Sequence, residues 1–255
     1  MKVISYSVAL LLVVAVAVQA ADVEFCHISV TNAATSIKGK IGTAMTGAIT
    51  YPGCMTLANV DTSATMLSIL DASDDSEIAT GALDALVPAA NGANYVAVVN
   101  PAPGITNLTL VQPRPSTATP ASSLRLLISH EAKGVGSINL SMNNDPFPNN
   151  PVAYGDFLIG DTTLASFAGN VVAMNPTTNA TLFSEAVPTT GYVAGDTALI
   201  AAVGEQGMTG TNEPKWFVNI PGASGTTGAS SAFVSSPAGV FVAIVAVIAS
   251  VASLL

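Results

Sequence analysis

The chain has 255 residues, half of them hydrophobic and only 9% charged, with 16 acidic residues against 7 basic ones. Beyond the first twenty positions the basic residues are six, scattered at Lys38, Lys40, Arg114, Arg125, Lys133 and Lys215, which leaves that part at a net −10. A scattered set cannot neutralise a phosphate backbone, so nucleic acid is excluded as a partner. So few charges leave Ser, Thr, Asn and attached sugars to keep the surface in water.

At the N-terminus, Lys2 supplies a positive start, Val8 to Val18 an apolar run too short to span a membrane, and Val18-Gln-Ala20 a small-x-small cleavage pattern. Residues 1–20 therefore read as a signal peptide for the eukaryotic secretory pathway. From residue 21 onward, apolar segments of five to eight residues rich in Val, Ile, Leu and Thr alternate with Gly, Pro, Asn and Asp clusters, and no amphipathic stretch of helical period is sustained. That pattern predicts an all-β chain.

The first group of predicted strands covers 22–30, 36–41, 54–60, 64–71, 93–100 and 105–112. Cys26 and Cys54, the only cysteines, are expected to pair in an oxidising compartment, closing a loop that contributes about 3.5 kcal/mol on the chain-entropy account. Asp71, Asp74, Asp75 and Glu77 gather four carboxylates in seven residues. They could offer oxygen ligands to calcium, but they lack the Gly and the alternate spacing of an EF-hand, and a solvated turn is the simpler reading. Asn107 opens the first glycosylation sequon, Asn107-Leu-Thr109.

Pro113 to Ser123 is rich in Pro, Ser and Thr and reads as an extended, semi-rigid linker. A second group of strands follows near 124–130, 136–142, 154–159, 169–174, 180–186, 197–203 and 215–220. It carries sequons at Asn139 and Asn179, while Asn175-Pro-Thr177 is excluded by its proline. Period-2 alternation places Asn139 and Ser141 together on an outward face, opposite Ile138, Leu140 and Met142. The loop Asp145-Pro-Phe-Pro-Asn-Asn-Pro151 offers Phe147 either as a contact tip or as packing for its own domain, and Trp216 and Phe217 are expected to close the second core.

Residues 221–237 form a Ser/Gly/Thr stalk, and 238–255 a tail whose final seventeen residues carry no charge. As a helix those seventeen would reach roughly 25 Å, short of a hydrocarbon core of about 30 Å. Small residues, a polar spacer and an apolar tail are the layout of a glycosylphosphatidylinositol (GPI) signal, with attachment at Ser224 or alternatively Gly225 or Gly228. The expected place is the extracellular face of the plasma membrane, with the outer leaflet holding the chain through the lipid.

A shift of 103 positions lays His27 on His130, Tyr51 on Tyr154, Gly92 on Gly195 and Gly104 on Gly207 without a gap. Two copies of one domain follow, at 21–112 and 124–220, each with enough strands for an antiparallel β-sandwich of immunoglobulin or transthyretin type. Each copy opens on a run ending in His (Val23-Glu-Phe-Cys-His27 and Arg125-Leu-Leu-Ile-Ser-His130), and copy two adds Tyr154-Gly-Asp156. Over 23–112 and 124–204 the chain resembles the tandem secreted β-sandwich family catalogued as domain of unknown function 4397. Copy one departs from that pattern, with Tyr51-Pro-Gly53 and no Arg before its first strand. The resemblance implies extracellular β-sandwiches on a surface and no chemistry.

His27 and His130 are the only histidines, and one per copy makes neither a zinc site nor a hydrolase triad; GxSxG is absent. No cofactor and no catalytic residue is expected. The leading reading is a GPI-anchored surface glycoprotein that acts as a coat, adhesion or recognition element, with an extracellular glycan or protein as the partner class. A ligand- or calcium-binding surface module is the alternative, and an enzyme of unknown class built on the two histidines is the third.

Overall fold

The computed structural model describes residues 20–86, 94–99, 109–112, 122–147, 150–163, 166, 169–187 and 194–220. The signal peptide, most of the linker, the stalk, the tail, Asn107 and all three attachment candidates lie outside the described residues, Ala20 and the last two linker positions apart.

Copy one contributes β1 (Ala20–His27), β2 (Ile37–Ile41), β3 (Ala44–Met45), β4 (Gly53–Asp61), β5 (Met66–Asp71), β6 (Glu77–Ala82), β7 (Asn94–Val99) and β8 (Thr109–Val111). They form two four-stranded sheets, ordered β4-β1-β7-β8 and β3-β2-β5-β6. Copy two contributes β9 (Leu124–His130), β10 (Asn139–Met142), β11 (Asp145–Pro146), β12 (Phe157–Thr162), β13 (Gly169–Met174), β14 (Thr181–Val187), β15 (Thr197–Val203) and β16 (Lys215–Asn219). Its sheets, β12-β9-β15-β16 and β11-β10-β13-β14, repeat the same order. The 103-residue shift carries the starts of β5 and β7 onto those of β13 and β15.

The fold is all-β and built from two sandwiches. One feature departs from a purely antiparallel plan: β1 pairs with β7, and β9 with β15, in parallel. Strand boundaries differ from expectation mainly at weak patterns. Glu77–Ala82, which has one large apolar residue, is a strand rather than the end of a turn, because it pairs with β5 across a bulge. Of the 105–112 strand, 105–108 lie outside the described residues and Thr109–Val111 form β8.

Each sandwich encloses its own core. Val23, Phe25, Ile37, Leu67, Ile69, Val96 and Val98 fill the first, and Leu126, Ile128, Leu140, Val171, Ile200, Trp216 and Val218 the second. Trp216 closes the second core as expected, tilted over Phe183 with ring centres 5.3 Å apart. Phe217 does not join it; the next residue on a strand points to the opposite face, and Phe217 is buried in a third cluster.

That third cluster is a seam between the copies. Cys26, Ile28, Tyr95, Ala97 and Val99 of one inner sheet bury against Leu127, Leu199, Ala201, Val203 and Phe217 of the other. The inner strands are thus covered on both faces, and for that reason β9 and β15 are buried at every position.

Two further expectations are settled locally. Phe147 is half-buried against the second core rather than projecting as a tip. Ser141 is only 3% exposed, which corrects the outward placement beside Asn139. It lies between Pro146 on β11 and Val172 on β13, and these neighbours close over so small a side chain.

Candidate functional site at the seam and its two histidines

The two histidines occupy matching places at the ends of β1 and β9, and both are fully buried. The His27 Nε2–H donates to the carbonyls of Asn32 and Thr35, at 3.2 and 3.1 Å. His130 Nε2–H donates to the Gly136 carbonyl, and its Nδ1 accepts from the Ala132 N–H at 3.3 Å, which fixes one neutral tautomer. Each ring also meets a tyrosine edge-on, His27 with Tyr51 at 5.7 Å and 68°, His130 with Tyr154 at 6.0 Å and 67°. Burial lowers both imidazole pKa values, with the carbonyl bonds working against it. Each histidine therefore fastens the loop after its strand, as donor to a carbonyl. Sequence reasoning found the pair; their partners are main-chain atoms, which no residue pattern reveals.

Cys26 and Cys54 are bonded and stand directly opposite each other in the β1/β4 ladder. Both face the seam. Glu24, two residues before Cys26, shares that face, and the three side chains lie within 4.8 Å of one another. With the sulfurs joined to each other, the Glu24 carboxylate is the one anionic ligand left in that group. Its oxygens are already engaged: Thr56 Oγ1 donates to Oε2 at 2.5 Å, and Asn219 Nδ2 donates to Oε1 at 3.1 Å across the seam. Burial raises the Glu24 pKa, with those two bonds opposing the rise.

Beside it, the Tyr95 hydroxyl donates to the carbonyl of Thr197 at 3.1 Å, and the Asn219 carbonyl lies 3.4 Å away. Arg125 holds Asp161 through two bonds, Nε to Oδ1 at 2.7 Å and Nη2 to Oδ2 at 3.0 Å. Glu131, the residue directly after β9, is 1% exposed. One oxygen accepts from Ser129 Oγ at 3.1 Å, and Oε2 has no partner among the described residues. Desolvation pushes its pKa up to about 8, and the same cause, with Glu131 and Glu205 nearby, takes Tyr154 to about 12. Glu24, Asn219, Ser129 and Glu131 were not singled out by sequence; the signal available was a polar side chain inside an otherwise apolar strand or, for Glu131, directly after one.

The four acidic loop residues do not converge. Asp71 caps the N–H of Ser73, Asp74 caps that of Ser76, Asp75 pairs with Lys38 at 2.6 Å, and Glu77 accepts from Ser68. Each carboxylate serves a different local partner, the arrangement of a solvated turn. Of the sequons, Asn139 is half-buried on β10, and Asn179 is exposed at the turn between β13 and β14 with φ +55°.

No protein-family model matches the chain. No curated protein matches it either. Among solved structures, one described as a putative adhesin from Bacteroides ovatus covers 79% of this chain and 92% of its own, at 8% identity and a TM-score of 0.22. A likeness that low carries no argument about fold or activity.

Proposed function

We propose that the protein is a GPI-anchored glycoprotein of the extracellular face of the plasma membrane, with a structural, adhesion or recognition role and no catalysis. The observation that carries the reading is the use to which the reactive side chains are put. Both histidines hold loops, both cysteines are joined, and each loop carboxylate is tied to its own neighbour. The two sandwiches bury a continuous apolar seam, which makes the described body a stiff block suited to presenting a surface. The tether itself is read from the small-residue stalk and uncharged tail of the sequence, and the exposed Asn179 turn suits a glycan. In this reading the partner is an extracellular glycan or protein.

The test is treatment of intact cells with phosphatidylinositol-specific phospholipase C, followed by glycan and cell-binding arrays with the released material. Release carrying inositol supports the tether, and saturable binding supports recognition. A chain that stays on the cells and lacks inositol refutes the anchor.

A further inference from the structure

The sheet edges of this molecule are not treated alike. An edge strand presents unpaired N–H and C=O groups, and folded proteins blunt such edges with short strands, bulges, charges or cover. Among the described residues β3 and β11 have two residues each and β8 has three. The pairings of β4, β6 and β14 are each broken by a register shift. In β16, the four residues from Trp216 to Asn219 are buried. One edge remains. β12 runs six residues, Phe157-Leu-Ile-Gly-Asp-Thr162, in unbroken register with β9, with no bulge, Pro or Lys. Its single charge, Asp161, is answered by Arg125, and Ile159 in its middle is 44% exposed. Among the described residues no strand lies on its free side.

We propose that β12 is a self-pairing edge: two copies of the chain join antiparallel through β12 about a two-fold axis, making one eight-stranded sheet from two four-stranded ones. The strand argues for its own copy as occupant. Antiparallel pairing centred on Ile159 sets that residue against the same residue of the second copy, a cross-strand β-branched pair that covers the exposed side chain. It sets Phe157 opposite Asp161, whose charge Arg125 already neutralises, so two chains, each at a net −10 beyond their first twenty residues, meet where no like charges face each other. The contact closes on itself, because among the described residues each copy has one such edge, and yields a dimer rather than a fibre. The pairing goes beyond the surface role proposed above and does not depend on how the chain is held at the membrane.

The test places a cysteine at the centre. Opposed residues in such a pair approach to about 4.5–5.5 Å between Cβ atoms, close enough for a disulfide to form with a small adjustment. Full-length chains carrying Ile159→Cys, or Met66→Cys as a control that is no less exposed, on the outer sheet of copy one, are displayed on cells and run on non-reducing gels. Ile159→Cys should run mostly at twice the monomer mass, and Met66→Cys as monomer. In sedimentation of the purified full chain, the unsubstituted protein should be dimeric and Ile159→Lys a folded monomer, with unchanged strand content by circular dichroism. Monomeric Ile159→Cys, equal crosslinking of both variants, capture of a different polypeptide, or a dimer untouched by Ile159→Lys would each overturn the proposal.

Discussion

Asn219 donates its side-chain amide to the buried carboxyl of Glu24 at 3.1 Å, joining two residues 195 positions apart across the seam of the sandwiches. The bond satisfies one oxygen of a group that burial penalises, so removing the amide leaves that oxygen bare. Asn219→Leu should cost about 1–3 kcal/mol in denaturant unfolding, and Tyr95→Phe, which removes the second polar tie across the seam, about 1 kcal/mol. Two separated unfolding transitions in Asn219→Leu would show that the tie couples the copies. No loss in either variant would mean that the apolar seam alone holds them.

The first core has a tighter test. A Cβ at Gly39 would sit 2.3 Å from the Phe25 ring, so even one methyl group must displace an aromatic side chain that is fully buried. Gly39→Ala should destabilise by about 1–3 kcal/mol. Gly39→Ala combined with Phe25→Leu should recover part of that loss in thermal melts.

The disulfide closes a loop of 28 residues in sequence separation that contains β2 and β3. Replacing both cysteines by Ala should cost about 3.5 kcal/mol on the chain-entropy account. Because both sulfurs also belong to the seam cluster, some loss should persist when the double variant is compared with the reduced parent, readable in urea midpoints.

Glu131 gives the chain an alkaline weakness. Its folded pKa of about 8 stands above the ordinary glutamate value of 4.5, so between those values the folded state holds a proton that the unfolded chain has released. Stability must then fall as pH rises through that window and level off above about 8, at a slope of up to about 1.4 kcal/mol per pH unit. Glu24, also raised, adds in the same direction. The histidines, lowered in the fold, act oppositely but only below about 6.5, where stability falls with acidification. Melting curves between pH 7 and 8 therefore isolate the carboxyls. Glu131→Gln should flatten the slope there, and an unchanged slope would place the titrating group elsewhere.

The outer architecture was legible in residue order because period and punctuation are local. The Val/Ile/Leu runs marked strands, and the constant 103-residue offset marked the second copy, whose sheets repeat the order of the first. The seam was less legible. Its trace is that Leu124–His130 and Thr197–Val203 lack the polar alternation of a half-exposed strand. A doubly covered strand and a merely hydrophobic one read alike. Glu131 illustrates the rest: a carboxylate after a histidine says surface, yet it is 1% exposed in the fold. The histidines stand 103 residues apart at the ends of β1 and β9, but their role is set by carbonyls of Asn32, Thr35 and Gly136.

The Asn179 sequon is exposed at a turn. Removing it by Thr181→Ala, which leaves the residue at φ +55° in place, should shift the secreted chain by the mass of one glycan and leave its unfolding free energy within about 0.5 kcal/mol of the parent, as for an ordinary surface change. Enzymatic deglycosylation of the parent should give the same shift.

The most direct measurement is mass spectrometry of the C-terminal peptide of the protein taken from cell membranes. The account predicts a peptide ending at Ser224, Gly225 or Gly228 and carrying ethanolamine phosphate and inositol, with no trace of 238–255. A peptide that retains Leu255 would contradict it.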